Sequence, residues 1–131
     1  MAIDCLVLDA EGLSRTVRRE RAMTGLLTAA YGKGIRVVTS SMTLIEAYHD
    51  KFRRPAWEWA MSRIVVEPVT RDVADAAVAL LANAGLHGHK YAIDAALAVI
   101  AGRQGGNVVL YTSDVDDMAK LCGVGVLVRG L

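Results

Sequence analysis

HGHKYAIDAALAVIAGRQGGNVVLYTSDVDDM, residues 87–118, holds the pattern from which the fold follows. From about Lys90 to Arg103 it is rich in alanine and apolar almost all round, which predicts a helix buried on most sides. Asn107–Tyr111 then reads as a short buried strand, and TSDVDDM puts acids at its carboxyl end. Upstream, Thr70 caps a helix running through Asn83, with Val73, Ala77, Leu80 and Leu81 inward and Asp72 and Asp75 outward, and Gly85 ends it. Downstream, a short helix over Asp116–Leu121 leads to a last strand over Val124–Val128.

The first half of the chain repeats the alternation. Ile3–Leu8 is an apolar run broken only by Asp4 and ending at Asp9, a buried strand with an acid at its carboxyl end. From about Leu13 to Tyr31 the pattern is that of one helix, with Val17, Met23, Leu26, Leu27 and Ala30 on one face and Arg15, Arg18, Arg19 and Arg21 on the other. Gly32 and Gly34 stop it, and Ile35–Thr39 is a second strand. Ser40 and Ser41 offer caps to a helix whose early turns carry Glu46. Pro55 separates that helix from a third, bearing Trp57 and Trp59, and Ile64–Val69 is a third strand. The fold class is therefore α/β: a five-stranded parallel sheet with helices on both faces. In such sheets ligands bind outside the carboxyl ends of the strands, where the strand order reverses. Residues just after strands one, two and four should converge there.

Length and composition fit this. The 131 residues suffice for one domain, expected to span 1–131, and are too few for two. Hydrophobic residues make up 53%, which excludes a disordered chain. With 15 Lys plus Arg against 14 Asp plus Glu, no uniformly basic surface exists, so any grip on nucleic acid must come from local patches. Cys5 and Cys122 lie in apolar runs without metal-ligand spacing and read as reduced core residues. MAIDCLVLD lacks the basic start of a signal peptide, and the longest stretch free of Asp, Glu, Lys and Arg, Ala76–His89, is too short and too polar for a membrane span. A cytoplasmic location without membrane contact is expected.

Acids stand at the converging positions: Asp9 after strand one, Glu46 after strand two, and Asp114 after strand four, with Asp116 and Asp117 close behind. Asp94 lies early in the apolar helix, among Ala92, Ile93, Ala95, Ala96, Leu97 and Ala98. A carboxylate there must protonate, find a cation or sit at a helix N-terminus. Several carboxylates together call for a counter-charge, and a hard divalent cation with oxygen ligands is the usual one. Taken singly, each acid could equally be a turn residue, a cap or a solvated charge.

LVLDAEGLS, SSMTLIEAYH, HKYAIDAALAVIA and VVLYTSDVDDM resemble, in order and in context, the four motifs of PIN domains, and the resemblance covers essentially the whole chain. It is closest to VapC-like toxins of toxin–antitoxin pairs. The resemblance implies a Mg²⁺- or Mn²⁺-dependent ribonuclease with the acidic quartet Asp9, Glu46, Asp94 and Asp114 as catalytic and metal-binding residues. A further acid would be Asp116 or Asp117; Asp117 is favoured because a turn from Asp114 returns to the same face three residues on. One departure is Glu11, where the family usually has a small hydroxyl or amide residue. The resemblance also implies an RNA substrate, an antitoxin partner and a homodimer, for which exposed apolar surface near Glu46 and the tryptophans would be suited.

Thr112 and Ser113 read as loop residues positioning Asp114, and neither they nor Ser14 has a partner base for a nucleophilic mechanism. Candidate cations for an RNA backbone are Arg15, Arg18 and Arg19, the Lys51–Arg54 segment, and His87, His89 and Lys90; each could also be a solvated face. The histidines have no zinc-site spacing. Two rivals remain. Residues 8–12, LDAEG, and SDVDD also resemble motifs of haloacid-dehalogenase-type phosphatases, although Glu11 replaces the general acid and Glu46 and Asp94 go unexplained. The other is a PIN-like binding module that does no chemistry.

Overall fold

The computed structural model describes residues 2–131. Its elements run β1 (Cys5–Leu8), α1 (Ala10–Val17), α2 (Arg21–Gly32), β2 (Arg36–Ser40), α3 (Ser41–Ala47), α4 (Arg54–Arg63), β3 (Val65–Glu67), α5 (Arg71–Ala84), α6 (Gly88–Gly102), β4 (Val108–Thr112), α7 (Val115–Leu121) and β5 (Val126–Gly130). The strands form one sheet in the order β3-β2-β1-β4-β5, every neighbouring pair parallel. Strands buried on both faces need apolar side chains on both, and β1 supplies them. Cys5 and Val7 pack with Val38, Val108 and Leu110 beneath α5, α6 and α7, whereas Leu6 and Leu8 pack with Val37 and Val109 beneath α1, α2 and α4. Connections leaving β1 towards β3 thus cover one face, and those returning to β4 and β5 cover the other. Right-handed crossovers impose that change of face, and it puts the switch point between β1 and β4.

The reading of one helix over 13–31 is corrected: the chain breaks between α1 and α2. Arg19 takes a left-handed conformation, φ 60°, and Arg19 N and Glu20 N close the end of α1 by donating to Thr16 O and Arg15 O. The Arg19 guanidinium lies 4.4 Å from the centre of the Trp59 ring. That tertiary stacking, with the closing hydrogen bonds, holds an arginine in a region usually left to glycine. The third strand stops at Glu67 because Pro68 has no N–H to continue the ladder. The last begins at Val126 rather than Val124, which lies fully exposed in the turn before it. Trp57 and Trp59 are both half-buried against the α1–α2–α4 core. Cys5 is buried, Cys122 half-buried, and both are free thiols.

Asp4 lies just ahead of β1, and its carboxylate accepts from Asn107 N at 2.7 Å, tying the amino ends of β1 and β4 together. Gly106 makes that possible: its φ is 78°, and a Cβ there would overlap the Asp4 side chain. Gly106→Ala should therefore cost roughly 2 kcal/mol or more, from backbone strain plus overlap. Thermal denaturation should show a fall of roughly 6 °C; an unchanged melting temperature would mean that this corner is slack.

Candidate metal centre

At the switch point the carboxyl ends of the strands are tied together by hydroxyls and one carboxylate. Thr39 Oγ1, at the end of β2, donates to Leu8 O at 2.9 Å. Asp9 follows β1 directly and is buried. Its Oδ1 accepts from Gly12 N at 2.8 Å and so caps α1, while its Oδ2 accepts from Ser113 N at 2.9 Å, beyond the end of β4. Thr112 Oγ1 accepts from Asp114 N at 3.0 Å, and Asp114 in turn caps α7 through Asp117 N. The reading of Thr112 as a residue positioning Asp114 agrees with this; Ser113, in contrast, holds Asp9. Ser40 Oγ caps α3 by accepting from Thr43 N at 2.9 Å, which fixes the helix carrying Glu46.

Asp94 sits in the second turn of α6, half-buried and among apolar neighbours. Burial pushes its carboxyl up from the ordinary 3.8 to about 6, and the charges of Glu46, Asp9, Asp114 and Asp117 push the same way. Glu46 is raised as well, first by loss of hydration and then by Asp9. Asp117 moves in the opposite direction: a hydrogen bond from Tyr91 holds it below the usual carboxylate range, helped by Asp114, Lys120 and Lys90. The acids of four separate elements thus act on one another. Asp117 belongs to that group, whereas Asp116 is exposed. Tyr91 was not anticipated, although its place one turn before Asp94 is a signal that sequence carries.

As the side chains stand, no three acidic, histidine or cysteine groups among the described residues are drawn tightly enough to clasp one ion. The acids share an electrostatic field rather than a closed coordination sphere. That arrangement still fits Mg²⁺ or Mn²⁺, since hard cations take oxygen donors and Mg²⁺ keeps several waters while touching only one or two carboxylates. A group as costly to ionise as Asp94, ringed by further acids, is the donor set that such a cation relieves.

The basic side chains separate into committed and free. Glu11 accepts from Arg15 and Arg18, each at 3.0 Å, so its charge is spent on α1 rather than on the acidic centre. Arg15 also reaches Glu20 at 3.6 Å, and Arg54 pairs with Glu58 at 3.0 Å. Lys90 lies 5.2 Å from the Tyr91 ring centre, and His87 and His89 stand exposed at the start of α6. Lys51 and Arg53 are exposed. Lys51 lines a groove of about 580 Å³ whose walls also include Glu46 but not Asp9, Asp94 or Asp114. Met42, Ile45 and Tyr48 form an exposed apolar strip running from α3 into the loop after it. No helix among the described residues is long and apolar enough to cross a membrane.

No family model matches the chain, and no curated protein is similar to it in sequence. Among solved structures it is similar to a chain of VapBC2 from Rickettsia felis, a crystal structure bound to a DNA fragment from their promoter. The match has a TM-score of 0.69 and covers 97% of this chain and 98% of that one. The fold is PIN-like. At 13% identity the likeness is one of fold, and the chemistry rests on the side chains. In this PIN-like frame Asp9, Glu46, Asp94 and Asp114 come from β1, α3, α6 and the β4–α7 junction.

Proposed function

We propose that this chain is a Mg²⁺- or Mn²⁺-dependent ribonuclease acting as the toxin of a toxin–antitoxin pair. The observation that carries the reading is Asp94, a carboxylate raised to about 6 by burial and by Glu46, Asp9, Asp114 and Asp117 around it. A protein does not keep such a group for stability, since its ionisation opposes folding; perturbed acids of this kind mark functional sites. The PIN-like fold and the neighbour's membership of a VapBC2 complex support the toxin part.

Asp9, Asp94 and Asp114 would hold the cation, with Asp117 kept ionised beside them by Tyr91. When bound, the cation supplies an activated water and neutralises charge on the scissile phosphodiester. Glu46, at the rim and raised by loss of hydration and then by Asp9, would orient the attacking water and take up its proton. Asp9, fixed by Gly12 and Ser113, keeps the spacing between the ends of β1 and β4 constant. No side-chain nucleophile is required. The phosphatase reading loses ground, because Glu11 would have to serve as general acid while bound to Arg15 and Arg18. An antitoxin and a second copy of the chain are the partners in this reading, and the exposed Met42 and Ile45 offer apolar contact area.

The test is cleavage of a mixed RNA pool by purified protein in EDTA, Mg²⁺ or Mn²⁺. Cleavage should be absent in EDTA and return with either metal, and light scattering of the same sample should give the mass of two chains. Cleavage that persists in EDTA, or none under either metal once bound inhibitor has been removed, would refute the nuclease.

A further inference from the structure

We propose that one flank of a single-stranded RNA lies in the trough between α1 and the α3–α4 connection, its backbone on Lys51 and Arg53 and a base on Tyr48. This rests on the nuclease reading and names where its substrate lies. The groove of about 580 Å³ beside Glu46 and a second of about 400 Å³ both have Arg18, Lys51 and Phe52 in their walls, so the two lie side by side as a trough. The first includes Glu46 and Tyr48, the second Arg19 and Arg53.

The trough combines three properties. Its walls carry Arg18, Arg19, Lys51 and Arg53 against Glu11 and Glu46, an excess of positive charge in a chain that is nearly balanced, and Lys51 and Arg53 stand exposed. It carries an aromatic surface held rigid from below, since Tyr48, 65% exposed, meets the Trp57 ring edge-on at 6.2 Å and Phe52 packs on Trp57 at 5.8 Å. Glu46 belongs both to the acidic centre and to the lining of this trough, so a strand cut at the centre has a path into it. Cations along a channel with an exposed aromatic face suit an unpaired strand, because a base must be unstacked before it can lie on a side chain. Exposed cations beside an aromatic face favour RNA, which carries a phosphate charge and a stackable base at every residue, over a peptide, which carries neither throughout.

The measurement is fluorescence anisotropy of a labelled, mixed-sequence single-stranded RNA on the Asp94→Asn protein, which holds the strand without cutting it. Lys51→Glu with Arg53→Glu should weaken binding roughly tenfold or more and flatten the slope of log K against log salt by about 1.4, the loss of two phosphate contacts on a single strand. Tyr48→Ala should weaken it roughly tenfold without changing that slope, and Tyr48→Trp should restore it. Lys33→Glu with Arg36→Glu, at the amino ends of the strands, should leave affinity unchanged.

Groove variants that bind like their parent overturn the proposal, as does a Lys33–Arg36 pair that weakens binding equally. So does duplex RNA held as tightly as the single strand, or loss of a co-expressed protein partner with RNA affinity intact. If the unsubstituted chain cuts RNA and the groove variants cut as fast, the groove assignment alone falls. If the unsubstituted chain neither cuts nor binds RNA, the nuclease reading falls and the groove with it.

Discussion

Asp94→Asn is expected to reduce RNA cleavage by roughly 100-fold or more and, in the presence of EDTA, to make the protein more stable. The first effect follows from the proposed role of Asp94 in holding the cation, since even residues that only support metal ligands cost roughly 10–100-fold when removed. The second follows from burial. With its carboxyl at about 6 in the fold and near the ordinary 3.8 unfolded, Asp94 binds more protons folded than unfolded between those values. Stability therefore falls as pH rises through that window, and the penalty is complete above it. The full shift corresponds to nearly 3 kcal/mol, roughly, but the side chain is only half-buried and water screens part of it, so about 1–2 kcal/mol is expected at pH 7. Thermal melts in EDTA should place Asp94→Asn roughly 3–6 °C above the parent at pH 7.5, with the gap closing below pH 4. Mg²⁺ or Mn²⁺ should raise the parent's melting temperature and not the variant's. A variant that melts at or below the parent at pH 7.5 would show that Asp94 is paid for by some unrecognised partner.

Asp9→Ala should also abolish cleavage, but with the opposite effect on stability. Asp9 is buried and accepts two backbone N–H groups, from Gly12 and from Ser113. Removing it uncaps α1 and leaves both donors without their partner. Caps are worth about 1 kcal/mol and an orphaned buried donor costs about 1–3 kcal/mol, so about 3 kcal/mol should be lost. Relief of repulsion on Asp94 and Glu46 returns only part of that. Asp9→Asn cannot rescue it fully, because an amide offers one oxygen where the two N–H groups need two acceptors. Circular-dichroism melts should separate the variants, Asp9→Ala roughly 10 °C below the parent and Asp94→Asn above it. Two inactive variants that shift stability alike would contradict the division of labour drawn here.

The parallel sheet and the place of its binding edge were legible because they rest on period and position. Apolar runs bounded by turn residues give strands, alternation gives crossovers, and right-handed crossovers leave an acid-bearing edge. Asp94 stood out for the same reason, as a carboxylate in an otherwise apolar helix. The break after Val17 was not legible: Arg18 and Arg19 fall on the polar face of a continuous helical pattern, and what turns the chain is a contact of Arg19 with Trp59, 40 residues away in sequence by their numbers. Nor could sequence tell that Glu11 is held by Arg15 and Arg18, or that Ser113 serves Asp9 rather than Asp114. Those pairings depend on which side chains meet across elements, and periodicity carries no information on that.

The hydrogen bond from Ser113 to Asp9 spans 104 residues, and β1 lies in the middle of the sheet with β4 as its neighbour. During synthesis the CLVL segment emerges about 100 residues ahead of β4 and waits with one edge bare while the ribosome makes the residues between. At about 5–20 residues per second that wait is roughly 5–20 s. Throughout it the acids of the first half face no Asp114, so a chain stalled before residue 108 carries only part of the acidic centre.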